Sequence, residues 1–469
     1  MPTFKTTTLH KIVVIAALAL GLMAVGCGDE ESDGSTESNS TSNSTSNSTS
    51  NNTSSNNTGD GTCPGAESNG VCTLTGEITE SFTMGPNLIY LLEGGVFIGD
   101  GSAETVLTIL AGTEIFGQTS GSPSFLVIQK GSKIMANGTA TSPIVFSSAN
   151  DPGNRSRGDW GGLIINGEAP INLDGGTATG EGDTGSYGGT NASDDSGVLR
   201  YVRVEFAGKQ ITMEREYNSV AFQGVGSGTT VEYVQAHMGA DDAFEFFGGT
   251  VNVKYLLATG AGDDNFDWVL GWQGKGQYLL AQQYADECDQ GIEADNYDEG
   301  RDNEPRSMPT LSNVTLIGSP DSEFSDIGAL LREGTAGQIW NSVIVGFNDV
   351  CVTVDSAESY AQGSGGALVM AGTAISCATN FEDGEGAPEA GATEAWFNSG
   401  QDNVAVTFNA SDTLITDPFN ESAPDFTPKN EATSGALSVG DTFFDDTAFR
   451  GAVDPANDWT KGWTTTVKN

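Results

Sequence analysis

Val231-Glu-Tyr-Val-Gln-Ala-His-Met-Gly-Ala-Asp-Asp-Ala-Phe-Glu-Phe246 is followed, at an offset of 22 residues, by Val253-Lys-Tyr-Leu-Leu-Ala-Thr-Gly-Ala-Gly-Asp-Asp-Asn-Phe-Asp-Trp268. Each copy reads as an apolar strand, a Gly turn carrying Asp-Asp, and a second short strand. Ala221-Phe222-Gln223 stands 22 residues before Ala243-Phe244-Glu245. Downstream, Tyr278-Leu-Leu-Ala repeats Tyr255-Leu-Leu-Ala, and Asp289-Gln-Gly-Ile-Glu293 repeats Asp263-Asp-Asn-Phe-Asp267 after 26. Ile339-Trp-Asn-Ser-Val-Ile-Val-Gly reads as a further strand of this kind. No 3.6-residue periodicity is sustained beyond the first 30 residues or so. Short strands at this period fit a parallel β-helix, in which each coil buries its inward side chains only against the coils above and below. The Leu-x-x-Leu-x-Leu signature is missing, and a propeller needs repeats of about 40–50 residues.

Stacking these copies places Phe222, Phe244, Phe266 and Ile292 in one interior column. Their neighbours Gln223, Glu245, Asp267 and Glu293 then form an outward row. A second, weaker alignment sets Leu107-Thr-Ile-Leu-Ala-Gly-Thr-Glu-Ile115 on Leu126-Val-Ile-Gln-Lys-Gly-Ser-Lys-Ile134, an offset of 19.

The chain start carries different information. Lys5, His10 and Lys11 precede an uncharged apolar run from Ile12 to Met23. That run is too short to span a bilayer, which takes roughly 20 apolar residues, and it has the layout of a secretory signal over 1–26. Ala24-Val-Gly-Cys27 is similar to a bacterial lipobox, with Ala24 where Leu is commoner. The similarity implies cleavage before Cys27 and acylation of it, hence anchoring in the bacterial outer membrane with the rest exposed at the surface. Residues 27–62 beyond the cysteine are Gly, Asp, Glu, Ser, Thr and Asn with repeated Ser-Asn-Ser-Thr, and nothing there offsets the entropy of ordering a backbone. They are expected to be a disordered tether reaching about 30 Å.

The 469 residues include 63 Gly, and 63 Asp plus Glu against 19 Lys plus Arg, a net charge of −44. Such a surface repels nucleic acid and anionic membranes and suits divalent cations or neutral and cationic ligands. Five cysteines follow Cys27, consistent with an oxidising compartment. Cys63 and Cys72 are expected to pair; Cys351 and Cys377 are candidates for a second bridge that leaves Cys288 free, and sequence does not fix the connectivity. No Cys/His cluster has zinc spacing, and His237 is the one histidine beyond the leader.

Chemistry is expected on the stacked acids. Asp241, Asp263 and Asp289 occupy equal positions in successive coils, as do Asp242 and Asp264 with Gln290 third. Coils lie about 4.8 Å apart, so such carboxylates repel unless a cation, raised pKa values or turn amides intervene. The cation reading names Ca2+, with Asp241, Glu245, Asp263, Asp267, Asp289 and Glu293 as metal ligands and the loop 295–302 adding oxygens. The turn reading makes the acids Asx-type residues bonded to local amides. An enzyme reading uses Asp241, Asp263 and Asp267 as catalytic acids on a polysaccharide, or a base drawn from Lys254, Lys275, Arg301 and Arg332. Trp272, Tyr284 and Tyr297 are candidate sugar-stacking residues, whereas Trp268 sits in a strand and suits the core.

Gly158-Asp-Trp-Gly-Gly-Leu-Ile-Ile-Asn-Gly-Glu-Ala-Pro-Ile171 and Ser196-Gly-Val-Leu-Arg-Tyr-Val-Arg-Val-Glu-Phe206 resemble a family of bacterial surface lipoproteins. The ending Phe449-Arg-Gly-Ala-Val-Asp-Pro-Ala-Asn-Asp-Trp-Thr-Lys-Gly-Trp463 is similar to that family's closing segment. The resemblance covers most of 75–469 and implies right-handed parallel β-helices of the pectate-lyase-like kind, without site residues. The expected architecture is all-β: a right-handed parallel β-helix over 63–380 and a C-terminal capping segment over 381–469. Phe443, Phe444, Phe449, Trp459 and Trp463 are expected to close the open end. Two functions remain in view. One is a surface binding or scaffolding protein for glycan or a surface partner, Ca2+-stabilised, and the sequence leans to it. The other is a polysaccharide lyase or glycoside hydrolase.

Overall fold

The computed structural model describes residues 60–212 and 215–469. The expected signal peptide, Cys27 and all but the last residues of the expected tether lie outside that range. Those last residues are already fixed to the first coil. The Gly61 N–H donates to Asn87 Oδ1 at 2.6 Å, and the Thr62 N–H to the Thr83 carbonyl at 2.7 Å.

The chain forms a right-handed parallel β-helix, as the repeats require. One ladder stacks Leu163–Asn166, Val220–Gln223, Phe244–Phe247, Phe266–Val269, Ile292–Ala294, Ile327–Leu331 and Val350–Val354, all parallel. A second stacks the longer strands Gly197–Glu205, Thr230–His237, Asn252–Thr259, Lys275–Gln282 and Thr310–Ile317. One residue per coil drops out of this second ladder and takes a left-handed φ: Tyr201, Tyr233, Tyr255, Tyr278, Asn313 and Asn341. That conformation costs a bulky residue on the order of 1–3 kcal/mol. The four tyrosines are held there by mutual stacking, with ring centroids 4.5, 4.3 and 4.8 Å apart in succession. By Asn341 the long strand has split into Gly337–Trp340 and Val343–Val345.

The 22-residue repeat sets the register of the long strands, pairing Val231 with Val253. The expected phenylalanine column is shifted. Val220 pairs with Phe244, then Phe266 and Ile292, while Phe222 pairs with Phe246, then Trp268 and Ala294. Ala221, not Gln223, heads the row Glu245, Asp267, Glu293. The cause is the connecting loop, which has six residues (224–229) in one coil and four (248–251) in the next. The 19-residue alignment is not a coil either, because Leu107 pairs with Ile134 whereas Leu126 pairs with Val96 and Leu163.

Cys63–Cys72 and Cys351–Cys377 are disulfides, and Cys288 is free and buried. Two helices were not expected. Helix α1, Ala357–Gly365, and helix α2, Ala392–Ser399, bring Tyr360, Ala392 and Phe397 into the main core beyond the last full coils. The aromatic residues expected at the open end instead take part in a strap along the solenoid's side. Trp459 and Trp463 pack across the tyrosine stack. Side-chain amides clamp the strap's main chain, each donating to a carbonyl and accepting from an N–H of one residue. Gln235 holds Thr465 at 2.8 and 2.9 Å, Gln277 holds Asp445 at 2.8 and 2.9 Å, and Asn341 holds Leu437 at 2.8 and 2.7 Å. Each pair satisfies main-chain groups that no sheet neighbour reaches.

Candidate metal centre

The Gly-Ala-Asp-Asp and Ala-Gly-Asp-Asp turns enter the short strands of the first ladder, which sets their acids one coil apart. Close backbone packing fixes the first of these turns. Gly208 has φ +88°, and a Cβ on it would stand 2.5 Å from the Ala240 N and 2.7 Å from the Asp241 N. Four triads of carboxylates have ligand oxygens within 4.8 Å of one another: Asp241, Asp242 and Asp263; Asp242, Glu245 and Asp267; Asp263, Asp264 and Asp289; Asp264, Asp267 and Glu293. The third triad is the first moved by one coil, and the fourth is the second moved likewise. All six acids singled out as metal ligands thus lie in one continuous cluster, with Asp242 and Asp264 at its centre.

Amides account for part of this charge. Asp242 Oδ1 accepts from the Asp264 N–H at 3.0 Å, and Asp264 Oδ1 from the Gln290 N–H at 2.7 Å. These amides belong to the following coil, so the acids are inter-coil rungs and not local Asx turns. Glu245 accepts from Asn218 Nδ2. Arg332 pairs with Glu293 and, at 2.9 Å, with Asp295. Among the described residues, Asp241, Asp242, Glu245, Asp264, Asp267 and Asp289 form no such ion pair.

The electrostatics follow from that imbalance. Burial pushes the carboxyls of Asp241, Asp242, Glu245 and Asp264 well above the ordinary carboxylate range, and their neighbouring carboxylates push further. Asp267 rises to about 8, first by burial and then by Asp295, with Arg332 opposing. Asp289 rises to about 7 by burial and then by Asp263. Sequence reading missed two further acids that face the row, Glu181 and Glu216. Burial raises Glu181 to about 7 with Arg215 opposing, and it raises Glu216 as well. Both lie in a segment between repeats, where periodicity gives no signal.

Buried oxygens without a partner point into the same region. Asn218, 3% exposed, occupies the Asp242 column one coil earlier, and its Oδ1 has no hydrogen-bond partner. Gln290, 8% exposed, continues that column, and its Oε1 has none either. Asp267 Oδ1 is in the same condition. Hard oxygen donors in excess of their hydrogen bonds suit a hard cation. Two oxygens on opposite sides of Ca2+ stand about 4.8 Å apart, given Ca–O distances of roughly 2.4 Å.

The other expected site residues fare differently. Trp272 is 1% exposed and stacks on Phe246, and Tyr284 is 0% exposed beside His237, so neither offers a ring face to a sugar. Tyr297 alone of the three is half-exposed, with its hydroxyl donating to Glu299 at 2.9 Å. Trp268 is in the core, as its strand position implied. All four candidate bases are ion-paired: Lys254 with Asp445, Lys275 with Asp441, Arg301 with Glu333, and Arg332 as above. Within the loop 295–302, Asp295 and Asp302 are committed to Arg332 and Arg306. His237 is fully buried between Thr259 and the Val467 carbonyl, where burial lowers its pKa to about 4.

No curated protein and no solved structure matches the chain. A sequence profile for a pectate-lyase like beta helix domain matches residues 76–416. That span covers the whole acidic row and all the coils that build it, and the chain belongs to this pectate-lyase-like β-helix family.

Proposed function

We propose that the chain is an exported, lipid-anchored surface protein whose β-helix binds Ca2+ in its acidic row and serves as a binding or scaffolding body. The observation that carries the metal reading is the set of four overlapping carboxylate triads, their oxygens within 4.8 Å of one another around the buried Asp242, Glu245 and Asp264. Buried carboxylates left without a counter-charge cost several kcal/mol each, or stay protonated. A divalent cation removes both penalties.

A scaffold fits better than a catalyst because a lyase needs a basic side chain free to take a proton. Lys254, Lys275, Arg301 and Arg332 are each held by a carboxylate. Surface display rests on the lipobox-like Cys27 and the polar stretch behind it. Thermal unfolding of the full chain in Ca2+ and in EDTA tests the reading. A site filled at 100 times its Kd adds about 2.7 kcal/mol. Identical melting in the two conditions would end the metal proposal.

A further inference from the structure

Away from the acidic row, on the face covered by the C-terminal strap, a cleft of about 410 Å³ opens between strap and solenoid. Tyr233, Tyr255 and Tyr278 line one side, and Trp459, Asp446 and Asp454 line the other. No Lys or Arg is among its lining residues. The volume falls within the range of small-molecule sites, roughly 300–1,000 Å³.

The lining selects among ligands. Tyr233 is stacked on both sides, by Tyr201 and Tyr255, and Tyr255 likewise by Tyr233 and Tyr278. Their flat faces are therefore closed to a sugar ring, and the cleft meets ring edges and hydroxyl oxygens. Asp446 and Asp454 are exposed, and neither has an ion-pair partner among the described residues. The local potential is negative. Burial, and after it Asp445 and then Asp454, raises the pKa of the Tyr278 hydroxyl. On a chain of net charge −44, such a cleft concentrates cations.

Ammonium groups lie between strap and solenoid elsewhere, by one arrangement used twice. Lys254 Nζ lies 5.0 Å over the Phe443 ring and 2.9 Å from Asp445. Lys468 Nζ lies 4.5 Å over the Tyr284 ring and pairs with Glu421. Each ammonium sits between an aromatic side chain and a carboxylate. The cleft offers the carboxylates, with tyrosine edges and hydroxyls in place of a ring face, and no Lys or Arg lines it.

We propose that this cleft binds a primary alkylammonium group supplied from outside the chain. The group donates to the Asp446 and Asp454 carboxylates and the tyrosine hydroxyls, and its methylenes lie along the ring edges. A lysine-bearing peptide and a free polyamine share this chemistry. Calorimetric titration of the full chain distinguishes them, with saturating Ca2+ present to keep polyamine off the acidic row and with salt at physiological strength. The probes are acetyl-Gly-Lys-Gly-amide, spermidine and cellobiose.

Saturable binding of the peptide or the polyamine is expected, weakened about tenfold or more in an Asp446→Asn/Asp454→Asn double variant. Both positions are exposed, and an unchanged melting temperature will certify the variant's fold. Whichever of the two probes binds more tightly names the source. No binding by either, equal binding by the double variant, or preferential binding of cellobiose would overturn the proposal.

Discussion

The main-chain N–H of Asp264 donates a 3.0 Å hydrogen bond to the side chain of Asp242, its counterpart one coil earlier. Asp264 receives the same bond from Gln290 one coil later. Two buried carboxylates thus serve as rungs between coils. The row is therefore tied from coil to coil by hydrogen bonds yet short of positive charge, with Arg332 its ion-paired cation among the described residues. That deficiency underlies the expectations that follow.

Asp264→Asn separates the two contributions. The amide oxygen keeps the bond from the Gln290 N–H while the charge disappears. In EDTA the variant should unfold at or above the wild-type temperature, because one member of a repelling cluster is gone. The stabilisation by Ca2+, about 2.7 kcal/mol at 100 times Kd in the wild type, should largely vanish. Paired melts of both proteins provide the check.

Arg332 supplies the cluster's main internal counter-charge, so Arg332→Met should be severe. Removing one partner of a buried pair costs about 3–5 kcal/mol, here by stranding Glu293 and Asp295. Denaturant unfolding should show this loss near pH 8 and a smaller one in mild acid, where the stranded carboxyls take up protons.

The pH dependence of the metal-free chain has a definite sign. Asp289 and Asp267 have folded pKa values near 7 and 8, raised above the ordinary 3.8. The folded state therefore binds more protons than the unfolded chain. Their contribution to stability is complete below the ordinary carboxylate pKa and is lost as pH rises through about 7 and about 8. Melting temperature in EDTA should fall across that window. In Ca2+ the fall should be much smaller, since the cation binds the ionised form and releases the protons.

The strap makes an independent prediction. Gln277→Ala removes both bonds to Asp445 and leaves a main-chain N–H and C=O without their partners. A loss of about 1–3 kcal/mol is expected. Hydrogen exchange should show it as lost protection around Asp445, with the coils around Phe244 and Phe266 unchanged.

Much of this was legible in the sequence where repeats are exact. The 22-residue offset sets Val231 on Val253, and the 26-residue offset sets Asp267 on Glu293, so the acidic row is visible in the repeats. Phe222 was misplaced because the loop after Gln223 is two residues longer than its successor, and strand register is counted at the strand. Asn218 could have been placed, since it precedes Asp242 by the same interval that separates Val220 from Phe244. Glu181 and Glu216 could not, because they reach the row from outside any repeat. Trp272 and Tyr284 are near the row in sequence, but proximity and residue type do not distinguish a stacking platform from a core ring.

Calorimetric titration of the EDTA-stripped full chain with Ca2+ tests the central claim most directly. The account predicts saturable binding of at least one ion per chain, weakened about tenfold or more in Asp264→Asn. An absence of saturable binding in the wild type, or an unchanged isotherm in Asp264→Asn, would contradict it.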